Sequence, residues 1–138
     1  MLLPAEARVV RLNLETYGNR IAYLEGAGDA IPQGLELMGY QVDMLSGDDL
    51  TASRLAGYDA LVLGIRAFNT VDALSSTMKE ILSYVSNGGT VVAQYNASRS
   101  LKTDALGPYD LRLSRNRVTD ETAEIRILQP EHPVMTAP

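Results

Sequence analysis

The residues able to do chemistry in this sequence are few, and their types narrow what that chemistry could be. The 138-residue chain holds no cysteine and a single histidine, His132. Thiolate nucleophiles, disulfides and cysteine metal sites are therefore excluded, and one imidazole does not make a metal cage. What remains is a set of polar residues in three short stretches. These are Glu25 and Asp29, then Arg66 and Asn69, then Gln94, Asn96, Ser98 and Arg99, with Phe68 and Tyr95 as aromatic walls. Two arginines beside amides can grip a carboxylate, a phosphate or sugar hydroxyls. A nucleophilic site would have to pair Ser98 with His132, and an acid–base site would have to pair Glu25 with Asp29. Neither has a motif behind it: Ser98 lies in no G-x-S-x-G elbow, and His132-Pro133 reads as a turn. Asp29 and Asn69 also stand where helix caps are expected.

Two further features bear on ligands. Gly26-Ala27-Gly28 looks like the start of a dinucleotide fingerprint, but Ile31 replaces its third glycine and Asp29 sets a carboxylate where a pyrophosphate would dock. The same loop lacks a run of Ser and Thr donors for phosphate, so no flavin or nucleotide cofactor is expected. Arg99, Lys102, Arg112, Arg115 and Arg117 place five of the twelve basic residues within nineteen positions. In a chain of net charge −5, such a cluster meets either an anionic partner or the nearby Asp104, Asp110, Asp120 and Glu121. Pairing within the chain is the simpler expectation. The net negative charge opposes non-specific attraction to nucleic acid. Apolar runs of about six residues fall well short of the roughly twenty of a membrane span.

The elements that must position these residues follow from the hydrophobic pattern. Apolar residues make up 46% and charged residues 21%, the balance of a chain that buries a core. Strands are expected at Ile21–Leu24, Gln41–Leu45, Ala60–Ile65 and Thr90–Tyr95. The continuous apolar run of Ala60–Ile65 suits a strand covered on both faces of a parallel sheet. Helices are expected over Ala30–Met38 behind an Asp29 cap, within Asp49–Gly57 behind a Thr51 cap, and over Val71–Ser86. Alternating β and α with short links specify an α/β, flavodoxin-like three-layer sandwich whose mostly parallel sheet is ordered 2-1-3-4. The three polar stretches then fall at the carboxyl ends of its strands, where open α/β sheets bind ligands. Val9–Leu14 alternates like an edge strand. Leu111–Ser114 and Glu124–Ile127 alternate like two antiparallel strands near the C-terminus. The expected organisation is a strand or linker over 1–19 leading into an α/β domain over 20–138, the whole cut from a longer protein.

Four strings carry a family resemblance: Arg20–Pro32, Tyr58–Thr70, Asn87–Asn96 and Leu106–Tyr109. They resemble the class I glutamine-amidotransferase-like (GATase1-like) domain that lies C-terminal to the catalytic domain in large bacterial PIG-L/LmbE-type deacetylases. The similarity covers about residues 20 to 135, and Gly64-Ile65-Arg66-Ala67-Phe68-Asn69 and Gln94-Tyr95-Asn96 are its specific part. It implies a flavodoxin-like domain within a zinc-dependent N-deacetylase acting on acetylated amino sugars. The deacetylase's own His-Pro-Asp-Asp-Glu string is not here, since His132-Pro133 runs on into Val134-Met135. Amidotransferases of this fold carry a cysteine after the fourth strand, where this chain has Gln94, Tyr95 and Asn96. The resemblance therefore implies a module without catalytic or metal-binding residues, whose partners are other domains of the parent chain and a carbohydrate or small anionic ligand. Its candidate ligand-binding residues are Glu25, Asp29, Arg66, Asn69, Gln94, Tyr95, Asn96 and Arg99. A stand-alone hydrolase using Ser98 or the carboxylates, and a flavin or nucleotide carrier, are the alternatives.

Overall fold

Short runs rich in branched apolar residues become four strands, β1 (Arg20–Leu24), β2 (Gln41–Leu45), β3 (Ala60–Leu63) and β4 (Thr90–Ala93), in a computed structural model that describes residues 9–11 and 13–136. All three pairings are parallel and the order is β2-β1-β3-β4. Parallel neighbours cannot be joined by a tight turn, so helices make the links. These are α1 (Ile31–Leu37), α2 (Ala52–Leu55), α3 (Ala67–Thr70) and α4 (Leu74–Ser86). Thr51 caps α2 by accepting the Arg54 amide at 3.3 Å.

The pleat sorts side chains onto two faces. Ala22, Leu24, Leu61 and Leu63 meet Leu50, Leu55, Phe68, Leu74, Met78 and Ile81 in the larger core. Ile21, Tyr23 and Val62 form a smaller one against Leu35 of α1. Helix on sheet on helix gives the flavodoxin-like arrangement. Truncating a core leucine such as Leu61 or Leu63 to alanine would cost about 2–5 kcal/mol. Tyr84, which periodicity alone did not single out, is buried in the larger core and its hydroxyl donates to the Tyr58 carbonyl at 3.1 Å.

Some expectations need correction. The helix expected over Val71–Ser86 starts three residues later, as α4 at Leu74, and a short helix not expected from the sequence, α3, precedes it, ending at Thr70 with Val71 extended. Asp29 does not cap α1 from the N-cap position. Ala30 holds that place, and Asp29, one residue earlier, accepts the Ile31 amide at 2.9 Å. Leu111–Ser114 and Glu124–Ile127 are not strands, and the four-stranded sheet is parallel throughout. Their alternation has no facing strand, and Ile125 is 87% exposed. Local turns compete for the backbone instead: Ser114 Oγ accepts the Asn116 amide and Asp120 Oδ1 accepts the Thr122 amide. The edge strand expected at Val9–Leu14 is likewise irregular where it is described, and Leu12 lies outside the described residues.

The chain divides into two compact units, one of Gly18–Ile125 and one drawn from the residues up to Tyr17 and from Arg126 onward. The sheet and α1–α4 belong to the first. The second contains α5 (Pro133–Thr136), whose start is fixed by His132 Nδ1 accepting the Val134 amide at 3.2 Å. Among the described residues no helix is long and apolar enough to cross a membrane.

Candidate functional site

The strand order reverses between β1 and β3, and the loops leaving these two strands meet there, as in other doubly wound sheets. The Gly64 amide donates to the Leu24 carbonyl at 2.8 Å, and the Ala27 amide donates to the Ile65 carbonyl at 2.7 Å. Such contact needs glycine. A Cβ on Gly26 would lie 2.1 Å from the Ile65 carbonyl oxygen, and one on Gly64 would lie 2.8 Å from the Tyr23 hydroxyl. The two glycines let the loops cross.

At this crossing Tyr23 and Asp29, six residues apart, form one network with the distant Gln94. The Tyr23 hydroxyl lies 2.7 and 2.8 Å from the two Asp29 carboxylate oxygens, to which it donates. Gln94 Nε2 donates to the Tyr23 oxygen at 3.0 Å, and the Ile65 amide donates to Asp29 Oδ2 at 3.1 Å. Burial, followed by the bond to Asp29, pushes the Tyr23 phenol above the ordinary tyrosine range. Burial also works against the Asp29 charge, but donors from Tyr23, Ile31, Ile65 and Gln94 outweigh it and hold the carboxyl below the ordinary aspartate range. Asp29 and Gln94 thus tie β1, β3 and β4 together at their carboxyl ends. The carboxylate oxygens of Asp29 face protein donors, while Glu25 is exposed.

Two asparagines fix the loop after β4. Asn69 is buried, its amide donating to the carbonyls of Ala97 (3.0 Å) and Arg99 (2.8 Å) and its oxygen accepting the Ala97 amide (2.9 Å). Asn96 accepts the Phe68 amide at 3.0 Å and donates to the Gln94 carbonyl at 2.7 Å. Asn69 is thus a clamp across 28 residues of chain rather than a helix cap.

Between these clamps stands Arg66, at φ 59° and ψ 23°, the left-handed region, as the residue that starts α3. That backbone conformation costs a non-glycine residue about 1–2 kcal/mol. It is held by backbone bonds: the Arg66 amide donates to the Tyr95 carbonyl at 2.7 Å, and its carbonyl accepts the Asn69 amide at 2.8 Å. A strand, a strained residue and a helix are the parts of a nucleophile elbow. Arg66 stands on such a strand-to-helix turn, between β3 and α3. The residue on it is a cation with no nucleophilic atom.

Arg66 opens onto a cleft of about 960 Å³. Tyr95, Asn96 and Arg99 line it from the loop after β4, and Arg115 and Arg117 line it from the irregular segment that follows. No Asp or Glu among the described residues lines it. The expected pairing is confined, among the described residues, to Arg112 with Asp110 at 3.7 Å, while Lys102 pairs instead with Asp72 at 2.6 Å. Among the described residues Arg66, Arg99, Arg115 and Arg117 form no ion pair, so four arginines without an ionic partner line one cleft. Four of the eight sequence candidates reach this cleft: Arg66, Tyr95, Asn96 and Arg99. Asp29, Asn69 and Gln94 support it from within. Arg115 and Arg117 were signalled only by the density of basic residues.

Ser98 lines the cleft, but it belongs to the first unit and His132 to the second, where the His132 Nδ1 atom caps α5. Among the described residues no group of three or more His, Asp or Glu side chains converges to hold a metal ion. Compared with protein-family models, with curated proteins and with solved structures, the chain matches none.

Proposed function

We propose that this chain is a non-catalytic binding module of the class I glutamine-amidotransferase-like kind, which holds a carbohydrate-like ligand in the arginine-lined cleft. Following the resemblance in the Gly64–Asn69 and Gln94–Asn96 strings, it serves as an accessory module of a multidomain PIG-L/LmbE-type N-deacetylase. The observation that carries this reading is Arg66. The left-handed strand-to-helix turn after β3 carries an arginine that lines the cleft. Strain retained at an exposed residue supports a functional reading, because folding alone would favour glycine there.

Arg66 and its neighbouring arginines can bind but cannot attack a bond. Arginine donates hydrogen bonds and positive charge and takes no proton at neutral pH. The test is a paired assay on the purified chain. Ligand binding by calorimetry against a glycan panel is expected, weakened by Arg66→Gln. No turnover of ester, amide or glycoside substrates is expected. Turnover that disappears in Ser98→Ala would refute the reading and favour the hydrolase alternative.

A further inference from the structure

We infer that the ligand is an oligosaccharide bearing two or more anionic groups, carboxylate or sulfate, gripped jointly by Arg66, Arg99, Arg115 and Arg117. This rests on the binding-module reading and specifies its ligand. Charge count is the first argument. One carboxylate or phosphate is satisfied by one or two guanidinium forks, whereas here four arginines share a cleft with no carboxylate among its described lining residues. Like charges gathered in one concavity repel unless a bound anion neutralises them, and in a chain of net charge −5 their gathering is not a by-product of composition.

Size is the second argument. A volume of about 960 Å³ stands at the upper end of small-molecule sites, which run from about 300 to 1,000 Å³. It is far more space than one inorganic anion fills. The remaining lining is the third argument. Ser98, Ser114 and Asn116 add neutral groups suited to sugar hydroxyls, and Tyr95, 62% exposed, offers a ring face to a sugar's C–H surface. Among the described residues Tyr95 is the sole aromatic one lining the cleft, which disfavours single-stranded nucleic acid, whose binding sites stack successive bases on several rings.

Half of the grip is set in advance. Arg66 and Arg99 are held by their backbones, since the Asn69 amide binds the Arg66 carbonyl and the Asn69 side chain binds the Arg99 carbonyl. Arg115 and Arg117 stand on a segment without regular structure. They can adjust to the spacing of charges along a glycan, at some entropic cost.

The test titrates the full 138-residue chain with tetragalacturonate, a heparin-derived tetrasaccharide, maltotetraose, inorganic phosphate and a short oligothymidylate. One or both charged tetrasaccharides are expected to bind at least about tenfold more tightly than maltotetraose or phosphate, a factor equal to losing one charge-assisted hydrogen bond. The tighter of the two tells carboxylate from sulfate. Arg115→Gln and Arg117→Gln should each weaken that binding by about tenfold without moving the unfolding midpoint, and added salt should weaken it further. Equal binding of maltotetraose, or unchanged affinity in both variants, overturns the inference while leaving the binding-module reading intact. Oligothymidylate binding as tight as the charged glycans also overturns it. Absence of binding to every glycan overturns both.

Discussion

Replacing Arg66 by glycine should make the protein more stable and a poorer binder at once. The backbone at this position lies in the left-handed region, with φ 59° and ψ 23°. A residue with a Cβ gives up about 1–2 kcal/mol there. Glycine is free of that penalty but loses about 0.4–1 kcal/mol through the greater freedom of its unfolded chain. The bonds that hold the turn are backbone bonds to Tyr95, Asn69 and Thr70, which no side-chain replacement removes. The side chain is exposed and forms no ion pair among the described residues. Arg66→Gly should therefore gain about 0.5–1 kcal/mol, raising the melting temperature by roughly 3 °C for a chain of this length. Arg66→Ala keeps the Cβ, and so the strain, and should stay within about 0.5 kcal/mol of the parent. Urea unfolding of the three proteins measures both numbers, and titration with the best-binding glycan should show each variant weakened by about tenfold. A glycine variant destabilised by more than about 1 kcal/mol would refute the reasoning. It would mean that the arginine side chain supports the fold and is not held against strain for a ligand.

Other substitutions probe the frame around the cleft. Gly26→Ala puts a Cβ 2.1 Å from the Ile65 carbonyl oxygen, and should cost about 2–3 kcal/mol, seen as a lower urea midpoint. Asn69→Ala leaves the Ala97 and Arg99 carbonyls and the Ala97 amide without their partner. It should cost about 2–3 kcal/mol and speed hydrogen exchange at the Ala97 amide. The Asp29 carboxyl sits below its ordinary value, so its contribution to stability is full above the unfolded aspartate value, about 3.9, and is lost as pH falls through the folded one. The Tyr23 phenol sits above its ordinary value. Its contribution is full below about pH 10 and is lost as pH rises. Tyr23→Phe removes one donor from Asp29 and should therefore cost about 1–2 kcal/mol near neutrality. Acid unfolding should move to higher pH and the alkaline loss should shrink, both read from unfolding curves across a pH series. An unchanged alkaline limb would show that Tyr58 and Tyr84, whose phenols burial also pushes up, account for that loss instead.

The order of strands and helices was legible from sequence because it rests on short-range periodicity. The runs at Ile21–Leu24 and Ala60–Leu63 can bury both faces only inside a parallel sheet, and Thr51 carries its helix start in its own side chain. Once that order is known, the carboxyl ends of the strands, and so the general location of Arg66, Tyr95, Asn96 and Arg99, follow from topology. Alternation alone did not make strands of Leu111–Ser114 and Glu124–Ile127, since a strand exists only against a partner. The roles of the polar residues were also out of reach. Asp29, Asn69 and Gln94 are each bound across 28 to 71 residues of chain, and no local pattern tells a rim residue that faces solvent from one that ties loops together. The left-handed turn at Arg66 and the entry of Arg115 and Arg117 into its cleft were likewise decided by tertiary structure. Local sequence sets which conformations are cheap, whereas only the packed chain decides which costly one is kept and which distant charges come to share it.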